Sequence, residues 1–405
     1  MNQQSNATGG LGGGLSDQGS PGAPRPGEAL AEPGPAGADR VSDREVPGAT
    51  PGRIAPAGAT LPGTAATALE GHRGVRIAGT GVGLAGRVVT NEDLAARVDT
   101  TDPWIRQRTG IHQRRYAADD QSLHSLSLTA LRNALDDAGL RGADLDLVIV
   151  ATITPAMACP STAARLADAV GATPAGAFDL AAACSGFVYG MNLAAASLQT
   201  GMYRHVAVVG AEVLSRHVNP DDRRTCILFG DGAGAAILSA DQADHRGVLH
   251  QSMGSDGGKW GSLYMPRRES DLPEGIDASD TGQPGWNGAY DTLQMQGQEV
   301  FKFAVIKTCD MIEQSLAATG LRPADLKLVI PHQSNQRIMA TAADRFGLPP
   351  EKMYINIDRH GNTSAASVPL CLEEVRRSGR VDEGDLVLFL AIGGGMTWAT
   401  SLWRL

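Results

Sequence analysis

The sequence predicts an α/β protein built from two duplicated halves, each a mostly parallel sheet covered by helices. Three observations carry that expectation. Helical and strand-like apolar patterns alternate along the chain from about residue 73 onward. Ala138-Gly139-Leu140-Arg141-Gly142-Ala143-Asp144-Leu145-Asp146-Leu147-Val148-Ile149 returns 181 residues later as Thr319-Gly320-Leu321-Arg322-Pro323-Ala324-Asp325-Leu326-Lys327-Leu328-Val329-Ile330. The same offset, without a gap, carries the apolar run Val206–Val209 onto Val387–Leu390. The expected organisation is therefore a Gly/Pro/Ala-rich disordered tail over 1–72, an N-terminal half over 73–245 and a C-terminal half over 246–405.

The tail is set apart by composition. It holds almost no large apolar residue, and it lacks the basic start and apolar run of a signal peptide. The folded region opens on an apolar strand ending in Gly79-Thr80-Gly81, which reads as a turn because no third glycine follows at dinucleotide-loop spacing. Asn91-Glu92-Asp93 starts a helix with a good cap and an acidic first turn. Next, Trp104 stands among Arg106, Arg108, Arg114 and Arg115. Guanidiniums fork onto phosphate and an indole stacks on a base, so this cluster suits a phosphorylated aromatic ligand; a solvated helix face is the plain alternative.

The run Phe178-Asp179-Leu180-Ala181-Ala182-Ala183-Cys184-Ser185-Gly186-Phe187 puts one cysteine at a strand-to-helix turn. The first helical N–H groups would then favour the thiolate, the reactive form; the alternative is a small buried hydrophobe. The 181-residue offset pairs Cys184 with Ala365, inside Gly361-Asn362-Thr363-Ser364-Ala365-Ala366-Ser367. Pro331-His332-Gln333-Ser334-Asn335 follows the strand at 328–330, and Gly393-Gly394-Gly395 follows the strand at 386–391. Ligands of parallel sheets collect at the carboxyl ends of strands, so these four segments are expected to meet in one cleft. A cysteine accepts an acyl group from a thioester, glycine amides hold an oxyanion, and His and Asn donate to a developing enolate. Cys-His-Asn also serves proteolysis, so residue types alone leave the reaction open. Gly230-Asp231-Gly232-Ala233-Gly234 fails the dinucleotide fingerprint and reads as a tight turn entering a strand.

Composition narrows the classes. A formal charge of −9 and 4% aromatic residues oppose a general nucleic-acid binder. Five cysteines, far apart and without a C-x-x-C pair, oppose a structural zinc site and favour a reducing, cytoplasmic setting. The most apolar long stretch, 175–202, is broken by Asp179, Asn192 and Gln199 and reads as core, so no membrane span is expected.

Taken together, the motifs resemble one family, the β-ketoacyl-[acyl-carrier-protein] synthase III enzymes of the thiolase fold. The resemblance runs from about Val75 to Leu405. It includes Asp99–Ile111, Ala183–Phe187, Thr225–Gly232, His332–Ile338, Arg359–Pro369 and Gly393–Trp398. It implies a five-layer α-β-α-β-α sandwich and a ping-pong reaction. An acyl-CoA primer would load Cys184 and then condense with malonyl-acyl carrier protein, releasing CoA and CO2. By the same resemblance, His332 and Asn362 would support decarboxylation, and the amides of Cys184 and Gly394 would form the oxyanion hole. Trp104 and Arg223 would sandwich the CoA adenine, with Arg108 near its phosphates, while Arg337 would dock the acidic carrier protein. No cofactor is implied, since acyl-CoA is a substrate, and the family implies a homodimer.

Asn362 separates this chain from elongating ketosynthases, which use a second histidine there. The competing readings are an acyltransferase that moves an acyl group without decarboxylation and a non-catalytic member of the fold. The chain departs from the family's pattern at Ala158-Cys159-Pro160-Ser161, where a phenylalanine usually reaches across the dimer to limit the acyl pocket. A thiol leaves more room, so longer or branched primers are expected. Ser334 replaces the usual alanine, with no consequence that follows from its chemistry.

Overall fold

A computed structural model describes residues 73–243 and 246–405; the stretch read as a disordered tail, 1–72, lies outside the described residues. Five strands form the first sheet: β1 (Gly74–Leu84), β2 (Leu147–Ala151), β3 (Gly176–Leu180), β4 (His205–Val213) and β5 (Asp231–Asp241), in the order β1-β5-β4-β2-β3. Four form the second: β6 (Gly247–Ser255), β7 (Leu328–Pro331), β8 (Leu386–Gly393) and β9 (Thr397–Arg404), in the order β7-β8-β9-β6. The sequence repeat is a repeat of register. Val148 lies opposite Ala207 in the first sheet, and Val329 opposite Leu388 in the second. A single parallel bridge from Val329 to Met353 stands where the first sheet has β3.

The sheets are mixed, which corrects the expectation of mostly parallel ones. β2 pairs in parallel with β3 and β4, and β7 with β8. The β1–β5, β4–β5, β8–β9 and β9–β6 pairings are antiparallel. Only Gly394–Met396 separates β8 from β9, far too short for the dozen or more residues a parallel crossover requires. Strands buried on both faces read as continuous apolar runs whatever their direction, so the pattern did not report it.

Helices fill three layers around the two sheets. α1 (Asp102–Thr109) lies to one side, near the helix that begins at Gln336. α2 (Leu123–Ala138) and α3 (Thr162–Val170) cover the outer face of the first sheet, where Leu126, Leu131 and Leu166 pack on Val148, Val150 and Val209. α4 (Gly186–Gln199) and α7 (Ser367–Arg377) lie between the sheets. There Phe187, Met191, Val368 and Leu372 meet Ile149 and Val208 from one side and Ile330 and Phe389 from the other. α5 (Gly297–Thr319) and α6 (Gln336–Phe346) cover the outer face of the second sheet through Ile312, Leu316 and Met339 on Val329 and Leu388. The order of layers is α-β-α-β-α. Alternate residues of each strand face opposite helix layers, as the two-residue period of a strand requires.

Turn chemistry repeats as well. α2 and α5 end on Gly139 and Gly320, at pseudo-equivalent positions, with φ of 65° and 68°. That left-handed conformation suits glycine and closes the helix before each buried strand. No helix among the described residues is long and apolar enough to cross a membrane.

Candidate active site

The two halves interlock where each places a strained turn on the other's central strand. Ala183 and Ser364, again at pseudo-equivalent positions, have φ of 45° and 50°. A side chain held in that region costs about 1–3 kcal/mol, so the surroundings must enforce it. They do so by close approach. A Cβ on Gly210 of β4 would lie 2.2 Å from the carbonyl oxygen of Ala365. One on Gly393 of β8 would lie 2.7 Å from that of Ala182 and 2.8 Å from the Cys184 amide nitrogen. Ser185 Oγ donates to Ala182 O at 2.7 Å, and Thr397 Oγ1 donates to the same oxygen at 3.1 Å. Gly393→Ala is therefore expected to displace the Cys184 turn, lowering stability by about 1–3 kcal/mol. Thermal melting together with acylation rates checks this.

Cys184 is buried in the turn between β3 and α4. Burial pushes its thiol up to about 12, the Ser364 hydroxyl partly offsets this, and the Glu212 carboxylate adds to it. The expectation that the helix start favours thiolate meets an opposing effect: α4 does begin just after the cysteine, while loss of water pushes the thiol up.

His332 follows β7 and is buried, its amide donating to Leu390 O at 2.8 Å. Its Nδ1 lies 2.7 Å from Ser367 Oγ, which also accepts the Gln333 amide at 3.4 Å. The serine oxygen can accept that amide and still donate its own hydrogen to Nδ1; in that tautomer the His332 proton sits on Nε2. Burial holds the imidazole down to about 3, so it is neutral near pH 7. Asn362 is held by the pairing of its segment with Phe229, and its Oδ1 accepts the Ser364 amide at 2.9 Å. The side-chain NH2 is therefore the end left to donate outward.

Two cavities meet at the cysteine. One, of about 350 Å³, is mainly apolar; Ile153, Leu214, Phe229, Leu263 and Met265 line it beside Cys184, and Gly394 closes one side. The other, of about 110 Å³, brings together Cys184, His332, Asn362 and Gly393. A thiol thus stands between an apolar chamber and a chamber with two neutral donors, an arrangement suited to holding an acyl chain while a thioester reacts.

The family model described as 3-oxoacyl-[acyl-carrier-protein (ACP)] synthase III matches residues 178–257, and its C-terminal counterpart matches 316–405. A β-ketoacyl-[acyl-carrier-protein] synthase III of Caldanaerobacter subterraneus is 45% identical over 326 residues, 80% of this chain and 96% of that protein. The chain belongs to the β-ketoacyl-[acyl-carrier-protein] synthase III family. A relative of the same description from Synechocystis is 45% identical over 331 residues, 82% of this chain and 98% of that protein. Among solved structures, the synthase III of Aquifex aeolicus superposes with a TM-score of 0.74 at 39% identity, covering 82% of this chain and all of that one. The priming β-ketosynthase of the R1128 polyketide pathway superposes at 0.75 and 35% identity, covering 82% and 97%. The five layers are those of the thiolase fold.

The remaining residues singled out in this synthase III sequence lie at different distances from the cavities. Trp104 is half-buried on α1, with the Arg223 guanidinium 5.1 Å and that of Arg108 5.7 Å from its ring centre. Arg223 also pairs with Asp99 at 3.6 Å. Asn335, which lines the small cavity, donates to Arg108 O at 3.1 Å and so ties α1 to its mouth. Arg337 is exposed on the first turn of α6, over the Phe301 ring that lines the same cavity. Arg114 is not a phosphate ligand: it is fully buried, bonded to the carbonyls of Val89 and Ile227. Cys159 is exposed and lines neither cavity of this single chain. Ser334 lines the small cavity beside His332.

Sequence reading missed Glu212, Ser364 and Ser367. Ser364 and Ser367 lie within the segment that the repeat pairs with Cys184, a signal that was available. Glu212, the penultimate residue of an apolar strand, is fully buried, and burial pushes its carboxyl up to about 7.

Proposed function

We propose that this synthase works through an acyl-Cys184 intermediate, with His332 and Asn362 as the two donors that drive decarboxylation. The reaction of the family starts fatty-acid or polyketide chains by condensing a primer with a malonyl unit on its carrier protein. The observation that carries the residue assignment is the meeting of Cys184, His332 and Asn362 on one cavity, with an apolar chamber opening on the other side of the sulfur.

In the first half-reaction the Cys184 sulfur attacks the thioester carbonyl of acyl-CoA, and the acyl chain enters the larger chamber. Backbone amides at Cys184 and Gly394 hold the oxyanion as CoA leaves. In the second, the malonyl thioester carbonyl receives hydrogen bonds from His332 Nε2–H and the Asn362 amide. Loss of CO2 places negative charge on that oxygen, and two neutral donors in a water-poor site stabilise it without a proton transfer. The enolate carbon then attacks the acyl-Cys184 carbonyl, the bond from that carbon to Sγ breaks, and the Cys184 sulfur leaves as a thiolate that takes up a proton, with the 3-oxoacyl chain now on the carrier protein. Intact-mass detection of an acyl adduct across an acyl-CoA panel, followed by CO2 release from malonyl-acyl carrier protein, tests the scheme. An adduct without CO2 release would favour simple acyl transfer instead.

Trp104, Arg223 and Arg108 are the proposed CoA contacts, and exposed Arg337 the contact for the acidic carrier protein. Trp104→Ala is expected to raise the KM for acyl-CoA about tenfold or more with little change in kcat, because base–aromatic stacking contributes about 1–3 kcal/mol. The proposed assembly is a homodimer, in which Cys159 reaches the partner's acyl chamber. Cys159→Phe is then expected to shift kcat/KM toward acetyl-CoA and away from isobutyryl- and longer acyl-CoAs. Steady-state comparison of the two chains checks this, and equal profiles would sink it.

A further inference from the structure

Acylation of Cys184 leaves one proton to be placed, and the roles assigned so far give it no acceptor. The inference rests on the acyl-Cys184 reading above. His332 is poorly suited to take the proton: burial holds its imidazole down to about 3, and its Nδ1 faces Ser367. Near enough to the cysteine to act on its thiol lies a buried carboxylate, Glu212, with no role in the reaction as described. Glu212 Oε1 accepts from Ser364 Oγ at 3.2 Å, and Oε2 accepts from Thr154 Oγ1 at 2.6 Å and Thr152 Oγ1 at 3.2 Å. The amide of Ile153 approaches both oxygens, at 3.2 and 3.3 Å. Ser364 also lies against Cys184 in the wall of the larger cavity. Its hydroxyl carries a single hydrogen, which it donates either to the carboxylate or toward sulfur.

We propose that Glu212 receives the Cys184 thiol proton through the Ser364 hydroxyl as the primer is transferred. The Cys184 proton passes to Ser364 Oγ while the Ser364 proton passes to Glu212 Oε1. The Sγ–C bond forms, the C–S bond to CoA breaks, and the proton held on Glu212 returns through Ser364 to the expelled CoA sulfur. During the first transfer one negative charge moves from oxygen to sulfur, so the buried site carries the same net charge before and after. That avoids the cost of creating a new charge out of water.

The groups facing Glu212 leave it alone in this role. The segment 152–154 and Ser364 offer hydroxyls and an amide, Gly232 stands opposite on β5, and among the described residues no lysine or arginine is paired with it. Cys184 is the titratable neighbour. Asp231 is bonded instead to Ser215 and the Ala117 amide.

The test is rapid-quench intact-mass measurement of acyl-enzyme formation in the full chain, with acetyl-CoA and isobutyryl-CoA, from pH 5.5 to 9.5. Glu212 must be ionised to accept a proton, and burial sets its carboxyl at about 7. Wild-type acylation should therefore fall as the pH drops through that value. Glu212→Gln should acylate about 10²-fold more slowly and lose this limb, its rate rising steadily toward alkaline pH. Ser364→Gly should do the same, since glycine tolerates φ of 50° and keeps the amide that holds Asn362. In both variants, once acylated at high pH, CO2 release from malonyl-acyl carrier protein should stay within about threefold of wild type. A Glu212→Gln profile that keeps the wild-type limb overturns the proposal. So does an equal loss in both half-reactions, which marks a structural role. If no acyl-CoA loads the wild-type chain, the acyl-Cys184 reading itself fails.

Discussion

Cys184→Ser gains no acyl mass from any acyl-CoA and condenses at least about 10³-fold more slowly than the native chain. The magnitude is that typical of losing a nucleophile whose neighbours stay in place. The substitution keeps the volume of the side chain and exchanges a thiol for an alcohol. In a site where burial already pushes the thiol up to about 12, an alkoxide is further out of reach. The hydroxyl therefore has no accessible nucleophilic form near neutral pH. The Cys184 turn is held by Ser185, Thr397 and the approach of Gly393, none of which depends on the sulfur, so thermal stability should stay within about 1 kcal/mol. Intact-mass spectrometry and a melting curve read the two halves of this prediction separately. A mass gain in the variant would remove Cys184 from the reaction.

His332→Ala and Asn362→Ala each load the primer but release CO2 from malonyl-acyl carrier protein about 10²–10³-fold more slowly, the usual cost of one oxyanion donor. Both donors act on one oxygen, so the double variant should lose far less than the product of the single losses. The pH dependence separates a neutral donor from a general base. The neutral imidazole is the donating form, and burial holds its titration down to about 3. Condensation by the pre-acylated enzyme should consequently be flat from pH 8 to pH 5. A fall in this half-reaction with a midpoint near 6.5 would show an exposed, titrating histidine and defeat the assignment.

Much of this site was readable before any coordinates. Cys184, His332 and Asn362 each follow a strand-like run, and the 181-residue repeat already paired the cysteine turn with the Asn362 segment. What stayed hidden has physical causes. Ser364 and Ser367 act through one hydroxyl each and look like turn residues in a Gly-Asn-Thr-Ser stretch. Glu212 breaks an apolar strand by one residue, and its meaning depends on Thr152, Thr154 and Ser364 arriving from two other segments. Arg114 misled because it stands among three other arginines, while its own bonds run inward to Val89 and Ile227.

By itself the sequence determined the duplication and the family and singled out the three side chains proposed to react, because these are local patterns in order along the chain. The tertiary structure alone decided the protonation of the site. Whether Cys184 is thiol or thiolate, whether His332 is neutral, and whether a carboxylate stands within reach of either are questions of water exclusion and of contacts between distant segments. The strained residues Ala183 and Ser364 lie at matching points of the repeat, but only the packing of each turn on the other half's strand brings Ser364 between Cys184 and Glu212. Electrostatic energies depend on distance and dielectric in three dimensions, and neither is encoded in spacing along the chain.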